Sequence, residues 1–370
     1  MRHLGKKFLV ARSLLTCDLQ VPDRNSASLG TADSPPSAET TLPQPTYHLH
    51  MHLTRRLIVF GIVSLAISPL LAAFVGSSVG SGILHPMRLN AMRLEDTQKM
   101  LARTGGTKGD FSVRAQDGVT LNGWKVRPVS ANGDWVLVYH GVSDNRTGVL
   151  GHAEFLLRHG YSIVMMDSRE HGESGGELCT YGWKERHDTV AVTDALYASE
   201  KVRHLYALGV SMGAAIALQS AAIEPRIEAV AAEAPFANLR EVSYDYAGLD
   251  VSPTLGRTLF RPASMIALAS VQKEGGFDPS DVSPEKAVAA RPFAVLLICG
   301  TSDHRIPCRH SQRIYKSAAG PKEIWIVKGA GHAAALGHSP VEYEARVVKL
   351  FESYPKNPLG NSTSRATGPS

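Results

Sequence analysis

Leu205-Tyr206-Ala207-Leu208-Gly209-Val210-Ser211-Met212-Gly213-Ala214-Ala215-Ile216-Ala217-Leu218 sets a serine between a short apolar run and an alanine-rich one. The first run has the length of a buried strand, and the second the composition of a well-packed helix. A serine at that junction, flanked by Gly209 and Gly213, has the spacing of a nucleophile elbow, in which a sharp turn lifts the hydroxyl clear of the sheet. The free N–H groups of the helix start then face whatever the serine attacks. The string Gly-x-Ser-x-Gly occurs two further times, at Gly76 to Gly80 and at Gly172 to Gly176. The first closes an apolar segment and the second lies in a polar loop, so neither joins a strand to a helix, and context selects Ser211.

Outward from the elbow, the runs Trp135 to Tyr139, Ser162 to Met166, His204 to Gly209, Ala229 to Ala232, Ala294 to Cys299 and Glu323 to Val327 are short and apolar. Helix-length segments such as Gly151 to His159, Lys184 to Ser199 and Met212 to Ile223 separate most of them. This alternation predicts an α/β protein with a mostly parallel sheet covered on both faces. Before it, Phe111 to Val126 reads as a hairpin turning at Asp117-Gly118. Ligands of such sheets bind beyond the carboxyl ends of the strands, where the polar motifs of this chain gather.

Three further motifs follow strands. His140-Gly141-Val142 offers the Val142 N–H, which with the Met212 N–H would hold an oxyanion, Gly141 freeing the backbone. Asp303 follows the strand ending at Cys299, where a carboxylate orients an imidazole; Asp278 and Asp281 are the alternative acids, in a loop without a preceding strand. His332, in Lys328-Gly329-Ala330-Gly331-His332, is the candidate base, with His338 the second choice. Singly, these residues also read as a tight turn, a helix-capping Asp and a surface histidine. Their order, Ser211 then Asp303 then His332, is the one expected of an elbow on a parallel sheet.

These motifs, together with Asp167-Ser168-Arg169-Glu170-His171-Gly172-Glu173-Ser174 and Gly300-x-x-Asp303-x-x-Ile306-Pro307, resemble the α/β-hydrolase superfamily over about Phe111 to Tyr354. Within it the chain is most similar to bacterial serine-aminopeptidase-like hydrolases, some of them membrane-tethered. The resemblance implies an eight-stranded sheet in a catalytic domain over 111–355, a Ser211-His332-Asp303 triad and no cofactor. The family's Asp-Tyr-Arg-Gly-His-Gly-like loop stands here as Asp-Ser-Arg-Glu-His-Gly, so no substrate contact is carried over from it. The sixty or so residues between Ala232 and Ala294 are long for a connection and predict a small helical cap at about 238–290. Tyr244, Tyr246, Leu249, Leu255, Leu259, Phe260, Met265, Ile266 and Leu268 would either fill that cap's core or line an acyl pocket.

Composition narrows the function classes. A formal net charge of +5 is spread among acidic residues without a basic block, which argues against nucleic acid. Four cysteines, Cys17, Cys179, Cys299 and Cys308, form no regular framework; Cys299 reads as a buried small hydrophobe, and a Cys179 to Cys308 bridge is one pairing to test. His304, Cys308 and His310 lack a second cluster, and His48, His50 and His52 lack partner ligands, so no metal is expected.

Residues 1–50 are rich in Ser, Thr and Pro and read as a disordered leader or an over-extended start ahead of Met51, and 356–370 as a disordered tail. Leu57 to Val79 carries no charge and follows Arg55-Arg56. It predicts a membrane anchor with the catalytic domain outside the membrane, or a signal segment cleaved near Ala72 to Ser78, followed by a connector over 80–110. The expected activity is hydrolysis of an ester, thioester or amide through an acyl-enzyme. Acyl transfer on the same residues, or a catalytically silent binding module, are the alternatives.

Overall fold

The computed structural model describes residues 55–56, 59–60, 76–89, 92–248 and 252–354. The expected leader, most of the uncharged stretch and the tail lie outside the described residues. All elements named below belong to the compact unit Phe60–Ser370.

Eight strands form one sheet in the order β1-β2-β4-β3-β5-β6-β7-β8. Strands β1 (Thr107–Arg114) and β2 (Thr120–Arg127) are the predicted hairpin, and β2 also pairs antiparallel with β4 (Ser162–Met166). The remaining pairs are parallel, through β3 (Trp135–Tyr139), β5 (Leu205–Val210), β6 (Ile227–Glu233), β7 (Ala294–Gly300) and β8 (Lys322–Val327). The strand side chains alternate between two apolar cores, as a sheet covered on both faces requires. Val136, Val138 and Tyr206 face α3 (Leu150–Arg158) and α11 (Pro340–Ser353), while Trp135, Leu137 and Ala207 face α4 (Glu185–Ser199), α5 (Met212–Ile223) and α10 (Arg309–Ser317). This is the expected α/β architecture.

The elbow is built by steric exclusion. A Cβ on Gly209 would lie 2.3 Å from the Gly213 carbonyl oxygen, and one on Gly213 would lie 2.4 Å from the Tyr139 carbonyl oxygen. Only glycine lets α5 start this close to β5 and β3.

The cap consists of α6 (Leu239–Tyr246), α7 (Pro253–Arg257) and α8 (Arg261–Gly275). The next helix, α9 (Pro284–Ala290), packs instead on α5, and its Val288 joins the core beneath the sheet. A further helix, α1 (76–84), lies on the cap. Gly76 and Gly80, one turn apart, allow this contact: added Cβ atoms would meet Ile266 Cγ2 at 2.6 Å and the Ala267 carbonyl oxygen at 2.5 Å. Leu84 is buried among Phe236, Leu239, Val271 and Phe277. The last residues of the predicted Leu57–Val79 span therefore serve as a packed element of the cap region. Among the described residues no helix is long and apolar enough to cross a membrane. Helix α2 (Leu94–Thr104) follows, and β1 begins within the stretch expected to be connector.

Candidate active site

Ser211 occupies the turn between β5 and α5 with φ 56° and ψ −116°, a left-handed conformation that a side chain adopts only where its surroundings enforce it. Its N–H donates to the Glu233 carbonyl oxygen at 2.8 Å, fixing the turn to the end of β6. The other two serines of the repeated string do different work. Ser174 is buried, donating to the Asp167 carbonyl oxygen at 2.7 Å and accepting from the Asn122 N–H. Ser78 lies within α1.

The structure brings Ser211, Asp303 and His332 together. His332 Nδ1 lies 2.7 Å from Asp303 Oδ2, and His332 Nε2 lies 2.9 Å from Ser211 Oγ. An ionised carboxylate only accepts, so Nδ1 carries the proton and bare Nε2 accepts from the serine hydroxyl. The Asp303 side chain is fully buried, and its other oxygen accepts the N–H groups of Arg305 at 2.9 Å and Ile306 at 2.8 Å. The loops carrying Asp303 and His332 are tied to each other. Ser302 N–H donates to the Ala330 carbonyl oxygen at 2.9 Å, and Gly329 N–H donates to Thr301 Oγ1 at 2.8 Å.

The other candidates lie elsewhere. Asp278 pairs with Arg240 and Ser280, Asp281 pairs with Lys286, and His338 bonds Ser339. His310 is buried, accepting the Ala237 N–H and facing Asp245 Oδ2 at 2.7 Å.

Two expectations about cysteine are corrected. Cys299 does not stand free as a small hydrophobe: it is bonded to Cys308, and Cys179 is a free, buried cysteine. The bridge joins the end of β7 to the start of α10 and encloses the Asp303 loop. Burial pushes the Cys179 thiol well up, so it stays protonated, packed against Met212.

The amides of Val142 and Met212 have no hydrogen-bond partner among the described residues, and both residues line the cavity that contains Ser211. Backbone freedom at Gly141 is not what shapes this loop: its left-handed residue is Ser143, with φ 57°, and a Cβ on Gly141 would make only ordinary van der Waals contact with Ser211 Cβ at 3.8 Å.

A pair of histidines holds this loop. His140 Nδ1–H donates to the Gly141 carbonyl oxygen at 2.8 Å and its Nε2 accepts from the Ser168 N–H at 3.0 Å. His171 Nδ1–H donates to the Arg169 carbonyl oxygen at 2.9 Å and its Nε2 accepts from the Ser143 N–H at 3.2 Å. Both rings must be neutral to accept, and burial lowers both pKa values, that of His171 to about 4. The Asp167 to Ser174 motif is thus scaffold for the loop that carries Val142. Asp167 accepts from the Arg146 and Glu173 amides and pairs with the Arg146 guanidinium.

Above Ser211 opens a cavity of about 470 Å³. Sequence reasoning missed much of its wall: Val79, Gly82, Ile83, Pro86 and Met87 come from α1 and the residues behind it. The readable signal was the glycine pair, Gly76 and Gly80, obscured by the uncharged composition around it. Of the nine apolar cap residues singled out, Tyr246 lines the cavity, while Leu259 and Met265 are exposed and Leu249 lies outside the described residues. Among the described residues, none that lines the cavity carries a charge.

Residues 131–275 match the family described as Serine aminopeptidase, S33. The uncharacterized protein YqkD of Bacillus subtilis (strain 168) is 27% identical over 250 residues, covering 66% of this chain and 80% of the relative. The uncharacterized protein Rv2307c of Mycobacterium tuberculosis (strain ATCC 25618 / H37Rv) is 30% identical over 227 residues, covering 60% of this chain and 72% of the relative. Among solved structures, the Pyrococcus furiosus esterase Pf2001 aligns with a TM-score of 0.60 at 23% identity, over 74% of this chain and 99% of that one.

Proposed function

Given that the chain belongs to the α/β-hydrolase superfamily and to one family with Rv2307c, we propose that it is a serine hydrolase cleaving carboxylic esters with an uncharged, apolar acyl group. The observation that carries this reading is the Ser211–His332–Asp303 chain of hydrogen bonds, at 2.9 and 2.7 Å, beside an uncharged cavity.

In the proposed reaction Ser211 Oγ attacks the acyl carbon as its proton passes to His332 Nε2, and Asp303 stabilises the imidazolium. The carbonyl oxygen, now negative, takes the free N–H groups of Val142 and Met212, each such donor contributing about 3 kcal/mol. His332 then protonates the departing alcohol. Water repeats the sequence on the acyl-enzyme, releasing the acid and restoring Ser211. No step calls for a metal or cofactor.

The cavity favours an ester over an aminoacyl amide. A free α-ammonium drawn into an uncharged pocket would lose its hydration without gaining a counterion, which costs several kcal/mol. Alkyl groups gain about 0.8 kcal/mol per buried methylene in the same place, and the volume lies within the range of small-molecule sites.

The Cys299–Cys308 bridge supports an oxidising compartment. With Arg55-Arg56 ahead of the uncharged sequence Leu57 to Val75, it favours a catalytic unit outside the cytoplasmic membrane, tethered by that stretch.

The test combines a fluorophosphonate probe with p-nitrophenyl esters of graded chain length and aminoacyl p-nitroanilides. The expected result is labelling abolished by Ser211→Ala, and kcat/KM that rises with acyl length and exceeds that for the anilides. Labelling that persists in Ser211→Ala, or a preference for the aminoacyl anilides, would overturn the proposal.

A further inference from the structure

We infer that Glu233 is a positioning residue that clamps the two halves of the site together. Its backbone carbonyl accepts the Ser211 N–H at 2.8 Å, and its side-chain Oε1 accepts the Ala335 N–H, three residues past His332, at 2.8 Å. One residue at the tip of β6 thus touches the backbone of both the nucleophile turn and the base loop.

The loop needs such an anchor. Gly329 and Ala333 are in left-handed conformations, with φ 82° and 53°, so repeating backbone bonds do not define the path around His332. The entry side is fixed by the bonds of Gly329 and Ala330 to Thr301 and Ser302. On the exit side, Glu233 supplies the matching bond. His332 is therefore bracketed, and its reach to Ser211 follows from where the two anchors hold the chain.

Glu233 is also an expensive residue to keep. It is 1% exposed and, among the described residues, meets no arginine or lysine. Its Oε2 lies 3.5 Å from His152 Nε2, with the Tyr343 hydroxyl in its electrostatic reach, and none of these three atoms has hydrogen-bond geometry to a described residue. Burial and the neighbouring carboxylate push the Tyr343 pKa well up, so its hydroxyl remains protonated beside Glu233. An apolar side chain would fill this space without the desolvation cost but could not accept the Ala335 N–H.

This role rests on the proposed use of His332 as base, so one readout is chosen that needs no turnover. Glu233→Met keeps the side-chain volume and removes the acceptor, whereas Glu233→Gln keeps an oxygen for Ala335. In hydrogen exchange on the full chain, Glu233→Met is expected to accelerate exchange of the segment following His332 at least ten-fold, and Glu233→Gln less than three-fold. On the ester that the wild type turns over best, Glu233→Met is expected to lower kcat at least ten-fold with KM within two-fold, and Glu233→Gln to restore it. If Glu233→Met does not fold, Glu233→Asp, with its carboxylate withdrawn by one methylene, takes its place with the same expected changes. Wild-type exchange in Glu233→Met or Glu233→Asp, or a Glu233→Gln variant impaired as much as these, would overturn the inference. A wild type without esterase activity would count against the hydrolase reading, while exchange still decides whether Glu233 clamps the loop.

Discussion

Replacing Asp303 by asparagine should disable the base while leaving the fold almost untouched, because the two carboxylate oxygens do separable jobs. Oδ1 accepts two backbone N–H groups, from Arg305 and Ile306, at 2.9 and 2.8 Å. Oδ2 faces His332 Nδ1 at 2.7 Å. In Asp303→Asn, the two fixed backbone donors require the amide oxygen at the Oδ1 position, so the NH₂ group must point at His332. Two N–H donors cannot face each other, and the imidazole answers by moving its proton from Nδ1 to Nε2. The protonated nitrogen then meets Ser211 Oγ and can no longer take its proton. Loss of the correct tautomer costs roughly 10⁴ in kcat, or about 5.4 kcal/mol of transition-state stabilisation. Asp303 does not line the cavity, so KM should change little. The assay pairs steady-state ester hydrolysis with the rate of fluorophosphonate labelling and with thermal unfolding. Both rates should fall together while Tm stays within a few degrees, because the loop bonds at Oδ1 survive. An Asp303→Asn enzyme within ten-fold of wild-type kcat would refute the tautomer argument. A normal labelling rate with slow turnover would refute it equally, by placing the defect after acylation.

The disulfide offers a second test. Joining Cys299 to Cys308 closes a short loop around Asp303, and the chain-entropy model assigns a loop of this length about 2.6 kcal/mol. Cys308→Ser, or reduction of the wild type, should lower Tm by about 5–10 °C and reduce kcat, whereas Cys179→Ser should leave the response to reductant unchanged; a Tm shift below 1 °C for Cys308→Ser would count against this brace. The buried histidines give a third. The His171 pKa is about 4 in the fold against an ordinary value of 6.5, so only the unfolded chain takes up the proton between these values. The contribution of His171 to stability is complete above pH 6.5 and is lost as pH falls toward 4, amounting to about 3 kcal/mol in all. Thermal unfolding between pH 7 and 4 should show this loss in the wild type and a shallower one in His171→Gln; identical pH slopes would contradict the assignment.

The parts of this molecule legible in its sequence are those whose cause is local. Strand β3 and helix α5 fall at their predicted bounds because an uninterrupted apolar run between turn residues leaves little choice of register. Ser211, Asp303 and His332 could be named because each lies within five residues of a strand end, and strand ends on a parallel sheet converge. What stayed hidden depends on contacts between distant segments or on loop shape. Nothing in the spacing of four cysteines distinguishes a Cys299–Cys308 bridge from other pairings, since the choice depends on how β7 leads into α10. The role of His171 depends on a ring nitrogen meeting the Ser143 N–H, twenty-eight residues away. Glu233 reads as an ordinary residue at the end of a strand until Ala335 is seen beside it.

The α1 segment is the most consequential of these cases, because the same residues satisfy two different physical readings. An uncharged apolar run is what a bilayer demands, and it is also what the wall of an acyl cavity demands. The deciding detail is the four-residue spacing of Gly76 and Gly80, which puts both on one helix face and lets α1 close on α8, Gly76 against the Ile266 side chain and Gly80 against the Ala267 carbonyl oxygen. That face is committed to the cap. The segment beyond it is fastened just as firmly: the Tyr181 hydroxyl donates to the Ile83 carbonyl oxygen at 3.0 Å, Cys179 N–H to that of Leu84 at 2.8 Å, and Asn145 Nδ2 to that of Leu89 at 2.9 Å. Tyr181 and the loop of Asn145 adjoin the cavity and the candidate oxyanion amide of Val142, so residues 76–89 hold the site's outer wall to its chemical floor. Any tether to a membrane must therefore end before Gly76. Val79 and Met87, both exposed, line the cavity on this wall.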